Sequence, residues 1–114
     1  MNTVNLIGRL TRDPECSKTT TGTSTASFTL AVDGRNDSTS FIPVIAYGTP
    51  ADVIAKYVHK GNLLGVTGRL NQRTFEKSDG DKKFVVEVVC DNITLLEKKP
   101  TEEANEKPKK SKKN

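Results

Sequence analysis

The sequence predicts an all-β domain: a small barrel of five strands with one short α-helix between the third and fourth, followed by a disordered C-terminal tail. Three observations carry the prediction. Apolar residues recur at every second position in five separate stretches, the period of a strand with one buried face. A single stretch after Gly48 replaces that period with a helical one and begins Thr49-Pro50, a helix-start signature. Residues 97–114 carry seven lysines against four acids and no aliphatic residue but alanine, a composition that cannot bury a core. The folded domain is expected over residues 1–97 and a basic tail over 98–114.

In the first strand Val4, Leu6, Gly8 and Leu10 alternate with Thr3, Asn5, Ile7 and Arg9. Pro14 ends it by removing a donor and restricting Asp13. Ser17 to Ser24 has no apolar residue and reads as a loop or flexible turn around Gly22. Ala26, Phe28, Leu30 and Val32 make the second strand, and Asp33 to Ser38 a turn cluster. The third strand, Thr39 to Tyr47, is the one the chain is arranged around. It sets Ile42, Val44 and Ala46 on one side and Phe41, Ile45 and Tyr47 on the other, so it has two apolar faces to account for.

In the helix Thr49 is expected to cap, with Asp52 completing a capping box and Pro50 at the first helical position. Val53, Ile54, Tyr57 and Val58 form its apolar stripe, His59-Lys60 meets its negative end, and Gly61 stops it. The fourth strand, Leu63 to Phe75, divides into Leu64, Val66, Gly68 and Leu70 against Thr67, Arg69, Asn71, Arg73 and Phe75. Asp79-Gly80 marks a hairpin turn. Phe84, Val86, Val88 and Cys90 share a face of the fifth strand, which continues through Ile93, Leu95 and Leu96. Strand, strand, strand, helix, strand, strand is the order of the oligonucleotide/oligosaccharide-binding (OB) barrel. An SH3-like barrel is the nearest rival, and the capped helix argues against it.

The 18 Lys and Arg residues and 14 Asp and Glu residues leave a net charge of +4, but that charge is unevenly placed. Residues 1–96 hold eleven basic and ten acidic side chains, so phosphate binding there depends on local placement and not on bulk charge. The two cysteines, Cys16 and Cys90, show no Cys-x-x-Cys spacing, and the N-terminus reads as no signal peptide. Unpaired thiols in the cytoplasm are expected, and no segment is long and apolar enough to span a membrane. His59 is the sole histidine; neither a metal motif, a nucleophile elbow nor a phosphate loop occurs. No enzyme, catalytic residue, metal or cofactor is expected.

Recognition of single-stranded nucleic acid is the positive reading. Phe41, Tyr47 and Phe75 offer planar surfaces on strands that adjoin in this fold, and Arg9, Arg12, Arg35, Arg69 and Arg73 are candidates for phosphate between them. The competing readings are that these aromatics are core residues under a loop, and that Arg69 and Arg73 form solvated ion pairs, with Glu87 as the candidate partner for either. Phe28 and Phe84, each sharing a face with aliphatic residues, are assigned to the core.

Several blocks in order then resemble the single-stranded DNA-binding proteins of bacteria and their phages. They are NTVNLIGRLTRDPE at Asn2 to Glu15, TSTASFTLAV at Thr23 to Val32, FIPVIAYG at Phe41 to Gly48, ADVIAKYVHKG at Ala51 to Gly61, VTGRL at Val66 to Leu70 and Arg73-Thr74-Phe75. The resemblance covers about residues 2 to 96 and places the family's stacking aromatics at Phe41, Tyr47 and Phe75. It implies coating of DNA during replication, recombination and repair. It also implies a homotetramer built as a pair of dimers, with Asn5 and Ile7 near the contact between N-terminal strands; a dimer is the alternative. The chain departs from the family in lacking tryptophan and an aromatic in the loop after the second strand. Its tail closes on the basic run KKSKKN where family members end in an acidic tip that recruits replication and repair proteins, so recruitment by that route is left open. A dimeric primosomal accessory protein and a nonenzymatic OB module for oligosaccharide or protein remain as rivals.

Overall fold

A computed structural model describes residues 1–97; the expected basic tail, 98–114, lies outside the described residues. The elements in order are β1 (Val4–Leu10), β2 (Glu15–Lys18), β3 (Ser24–Asp33), β4 (Thr39–Tyr47), α1 (Thr49–Tyr57), β5 (Leu63–Glu76) and β6 (Lys82–Leu95). They form one six-stranded, OB-fold-like sheet in the order β1-β5-β6-β4-β3-β2, with an additional β1–β3 pairing. The expected count of five strands is therefore corrected to six. The extra strand, β2, falls where the sequence reads as a break and a loop. It is an edge strand exposed throughout, held to β3 from Glu15↔Ser27 to Lys18↔Ser24, and with no buried face it produces no alternation. The helix keeps its place in the chain, but because β2 precedes it, it lies between β4 and β5.

The strand pairings run from β1 through β5, β6, β4 and β3 and return to β1. β3 and β4 form a hairpin from Thr25↔Tyr47 to Asp33↔Thr39, turning on Asn36 and Asp37, whose φ values of 57 and 61 suit residues that tolerate the left-handed region. β5 and β6 pair from Leu64↔Leu95 to Glu76↔Lys82. β1 lies antiparallel to β5 and then swings onto β3 at Arg9↔Ala31 and Leu10↔Leu30. Gly8 permits that crossing, since a Cβ there would fall on the Ala31 carbonyl oxygen. The join between β4 and β6 is parallel and short, Val44↔Val88 to Ala46↔Cys90.

The inner face holds Leu10, Phe28, Leu30, Val44, Leu64, Val66 and Val88, closed at one end by Ala51, Ile54 and Val58 from the helix segment. Four expectations about this region are corrected. Thr49 is the first helical residue, not the cap: Gly48, at φ 71, occupies that position, and no side chain among the described residues caps the helix. Only glycine turns so sharply from strand to helix without strain. The helix stops at Tyr57, where Val58 becomes extended at φ −108 and keeps one N–H bond to the Ile54 carbonyl. Ala51 is buried while Tyr57 is exposed, so the inward stripe is Ala51, Ile54 and Val58.

The fourth correction is Phe84, assigned to the core but 64% exposed. β4 covers β6 only at Val88–Cys90, so the β5–β6 hairpin beyond that point projects past the core. Leu70, Val86 and Phe84 lie on the face that is inward further along but meet no opposing layer, and all three are exposed. A bulge between Thr67 and Gly68 leaves Asp91 unpaired, because Thr67 faces Asn92 while Gly68 faces Cys90. That extra residue lets both Cys90 and Ile93 pack inward, an odd spacing that regular alternation forbids.

Candidate nucleic-acid interface

The outward faces of β3 and β4 set Tyr47 beside Thr25, Ile45 beside Ser27, Pro43 beside Thr29 and Phe41 beside Ala31. Each aromatic thus has a small cross-strand neighbour that leaves its ring uncovered. Phe41 is 63% exposed, Tyr47 47% and Phe75 43%, which favours the surface reading over the core reading for all three. Phe41 and Tyr47 stand at opposite ends of β4, about 20 Å apart at the usual strand rise. Phe75 sits near the hairpin tip, opposite Lys83. The three rings are spaced along a surface and are not gathered into one cluster.

Between β4 and the projecting hairpin lies an open-sided cleft of about 380 Å³. Its apolar surface comes from Pro43, Ile45 and Val85. Thr11, Arg12, Asp13, Glu15, Ser27 and Thr29 contribute on one wall and Arg73 and Glu87 on the other. The cleft owes its existence to the short parallel join: a longer one would zip the hairpin against β4.

The five arginines separate into two groups. Arg9, Arg69 and Arg73 are ion-paired, with Glu97 at 3.1 Å, Asp91 at 2.6 Å and Glu87 at 2.9 Å. Their side chains remain about half exposed, so each retains N–H groups that face solvent. The Arg73–Glu87 pair is the one anticipated as the competing reading of that arginine. Arg9 also donates to the Gly61 carbonyl at 2.9 Å. Its hydrogen bond is the main cause that holds the Glu97 carboxyl below the usual carboxylate range. Arg12, on the cleft rim, and Arg35, in the β3–β4 turn, have no ion pair among the described residues. The structure thus brings Arg12 and Arg73 to the cleft. Arg9 falls in the row of Ala31 and Phe41, and Arg69 in the row of Val89 and Ile45.

Glu87 is the residue whose importance the sequence reading understated. It is 5% exposed, and its Oε2 accepts from Arg73 Nε at 2.9 Å and Asn71 Nδ2 at 3.5 Å. The available signal was a lone charge inside Val85-Val86-Glu87-Val88-Val89; one acid amid four valines is held there by a partner. On the far side of the sheet Ile7 is 63% exposed, and Asn5 Oδ1 accepts from Thr67 Oγ1 at 3.0 Å. Both cysteines are free, and burial pushes the Cys90 thiol up. Among the described residues no acidic, cysteine or histidine cluster could hold a metal, and no helix is long and apolar enough to cross a membrane.

A family model described as "Single-strand binding protein family" matches residues 1–96. The chain is 46% identical to the single-stranded DNA-binding protein 3 of Clostridium acetobutylicum, over 85% of this chain and 72% of that one. It is 46% identical to the single-stranded DNA-binding protein of Clostridium tetani, over 85% and 71%, and 40% identical to that of Enterococcus faecalis, over 90% and 58%.

Proposed function

The chain belongs to the single-strand binding protein family, and on that premise we propose how its surface performs the binding. It binds single-stranded DNA without turnover, and serves replication, recombination and repair by covering exposed strands. Three uncovered rings spaced along the outer face of the sheet are the observation that carries the reading. An unpaired base can lie on Phe41, Tyr47 or Phe75, whereas a base inside a duplex already has both faces stacked; the surface therefore selects single strands before any base edge is read. Arg12 and Arg35, which form no ion pair among the described residues, meet phosphate first. Arg9, Arg69 and Arg73 add the N–H groups that their ion pairs leave unspent. This set favours the backbone over base sequence.

The ring of pairings supports closure as an OB-type barrel. Residues 1–97 act as the binding unit and 98–114 as an electrostatic auxiliary that strengthens attraction to phosphate at low salt. The exposed outer face of β1, with Asn5 and Ile7, supports assembly through N-terminal strands into a homotetramer of two dimers in the cytoplasm. Titration of fluorescent oligothymidine of increasing length, with the mass of each complex measured, tests the reading. Length-dependent binding that weakens with salt, little affinity for duplex and a four-chain mass are expected. Equal affinity for duplex and single strands overturns the reading, and a two-chain mass replaces the tetramer with a dimer.

A further inference from the structure

Glu87 poses a problem that strand coating does not resolve. A buried carboxylate beside a DNA path repels phosphate, and an acid held only to satisfy Arg73 could stand at the surface as Asp91 does for Arg69. Both hydrogen bonds that Glu87 accepts fall on Oε2, and its Oε1 has no partner among the described residues. That oxygen is the one left to accept a hydrogen bond from whatever occupies the cleft. It lines the same cleft as Pro43, Ile45 and Val85, apolar side chains that suit the face of a planar ring. At about 380 Å³ the cleft lies near the small end of the usual range for ligand pockets, roughly 300 to 1,000 Å³, room for one nucleoside and not for several.

We propose that this cleft is a subsite for a single nucleobase bearing an exocyclic amine, cytosine in preference to thymine, with Glu87 Oε1 accepting the amine hydrogen. The inference rests on the single-strand reading above and gives it a base preference. Cytosine presents an amino donor where thymine presents a carbonyl oxygen, and a carboxylate accepts from the first and repels the second. Arg73, bonded to Glu87 through Nε alone, has its remaining N–H groups available for the ring nitrogen next to that amine. Arg12 on the opposite wall is placed for the phosphate of the same nucleotide. Glu87 thus acts as a reader of one base within a surface that otherwise ignores sequence.

The test uses two oligonucleotides of equal length, one of thymine and one of 5-methylcytosine. These bases share a methyl group and nearly the same outline, so they separate hydrogen bonding from stacking. Equilibrium affinities are measured for the full chain and for Glu87→Met, and the affinity ratio of methylcytosine to thymine is compared; differences in self-stacking of the free strands cancel. The ratio is expected to fall by at least about fivefold in the variant, the low end of what one good base contact supplies. An unchanged ratio in a folded variant overturns the subsite. If Glu87→Met does not fold, the ligand is altered instead: N4,N4-dimethylation of the 5-methylcytosine strand, which removes both amine hydrogens, should lower its affinity for the wild-type chain by at least about fivefold, and an unchanged affinity overturns the subsite. Failure of the wild-type protein to bind either strand refutes the underlying function, an outcome distinct from equal binding of both.

Discussion

Phe28 and Phe84 occupy equivalent places in two alternating strands, yet one is 7% exposed and the other 64%. Phe28 belongs to β3, whose inner face shares one buried cluster with residues of β5, β6 and the helix. Phe84 belongs to the free part of the β5–β6 hairpin, where the same face looks at solvent. Alternation identifies which residues share a side of a sheet. Whether that side is buried depends on a second layer, and the layer is set by pairings many residues away. The hairpin exposes its apolar residues for the same reason that a cleft opens beside it: β4 lets go of β6 beyond Val88.

The largest expected effect breaks this comparison directly. Phe28→Ala should destabilise the fold by about 3 to 5 kcal/mol, the usual loss for a buried aromatic, whereas Phe84→Ala should change stability by roughly 0.5 kcal/mol or less. Denaturant melts of both variants decide it, and equal losses would mean that another surface buries Phe84. Next come the outward aromatics. Alanine at Phe41, Tyr47 or Phe75 should each weaken single-strand binding by about 1 to 3 kcal/mol with melting temperature little changed. Loss of the fold in Tyr47→Ala would place that ring in the core instead.

A finer contrast separates the arginines that form an ion pair from those that form none among the described residues. Arg12→Gln should lower the slope of log affinity against log salt by about 1, and Arg69→Gln by less, because Asp91 already neutralises part of its charge. Equal slopes in the two variants would show that ion pairing does not decide which arginine meets phosphate. The smallest effect is the pH dependence of the Arg9–Glu97 latch. Its folded carboxyl titrates below the usual range, so the latch contributes above the unfolded pKa and is lost as pH falls through the lower folded value. Glu97→Gln should flatten that acid portion of a melting-temperature profile. An unchanged profile would mean that the exposed pair adds nothing measurable.

The central strand was legible because its two faces differ in kind, aliphatic on one and aromatic on the other, and both periods survive in the structure. The helix was legible in position but not in its cap, because Thr49-Pro50 fits a helix start one residue either way and only the backbone of Gly48 decides between them. β2 was hidden for a physical reason: an edge strand exposed on both faces is held by backbone hydrogen bonds, which leave no trace in side-chain pattern. The Arg69–Asp91 pair was harder still. Arg69 meets Asp91 because a bulge leaves that acid unpaired opposite the glycine beside the arginine, and no rule of spacing announces a bulge. Gly68 was the one available hint, since a Cβ there would fall on the Val89 carbonyl oxygen.

The way the ring is joined also governs the order in which the chain can acquire its structure. The β3–β4 and β5–β6 hairpins close across short turns and form on the microsecond scale typical of such units. β1 meets β5 only through pairs as distant as Val4↔Gly68, and β4 meets β6 from Val44↔Val88, contacts whose loop-closure entropy must be overcome before any burial rewards it. During synthesis β1 can meet β3 early, at Arg9↔Ala31 and Leu10↔Leu30, but it waits until more than half the chain has emerged for β5, the partner that pairs along most of its length. Through that interval the aliphatic face of the β3–β4 hairpin is uncovered, so slow elongation or crowding of nascent chains should raise aggregation more for this protein than for a helical bundle of equal length.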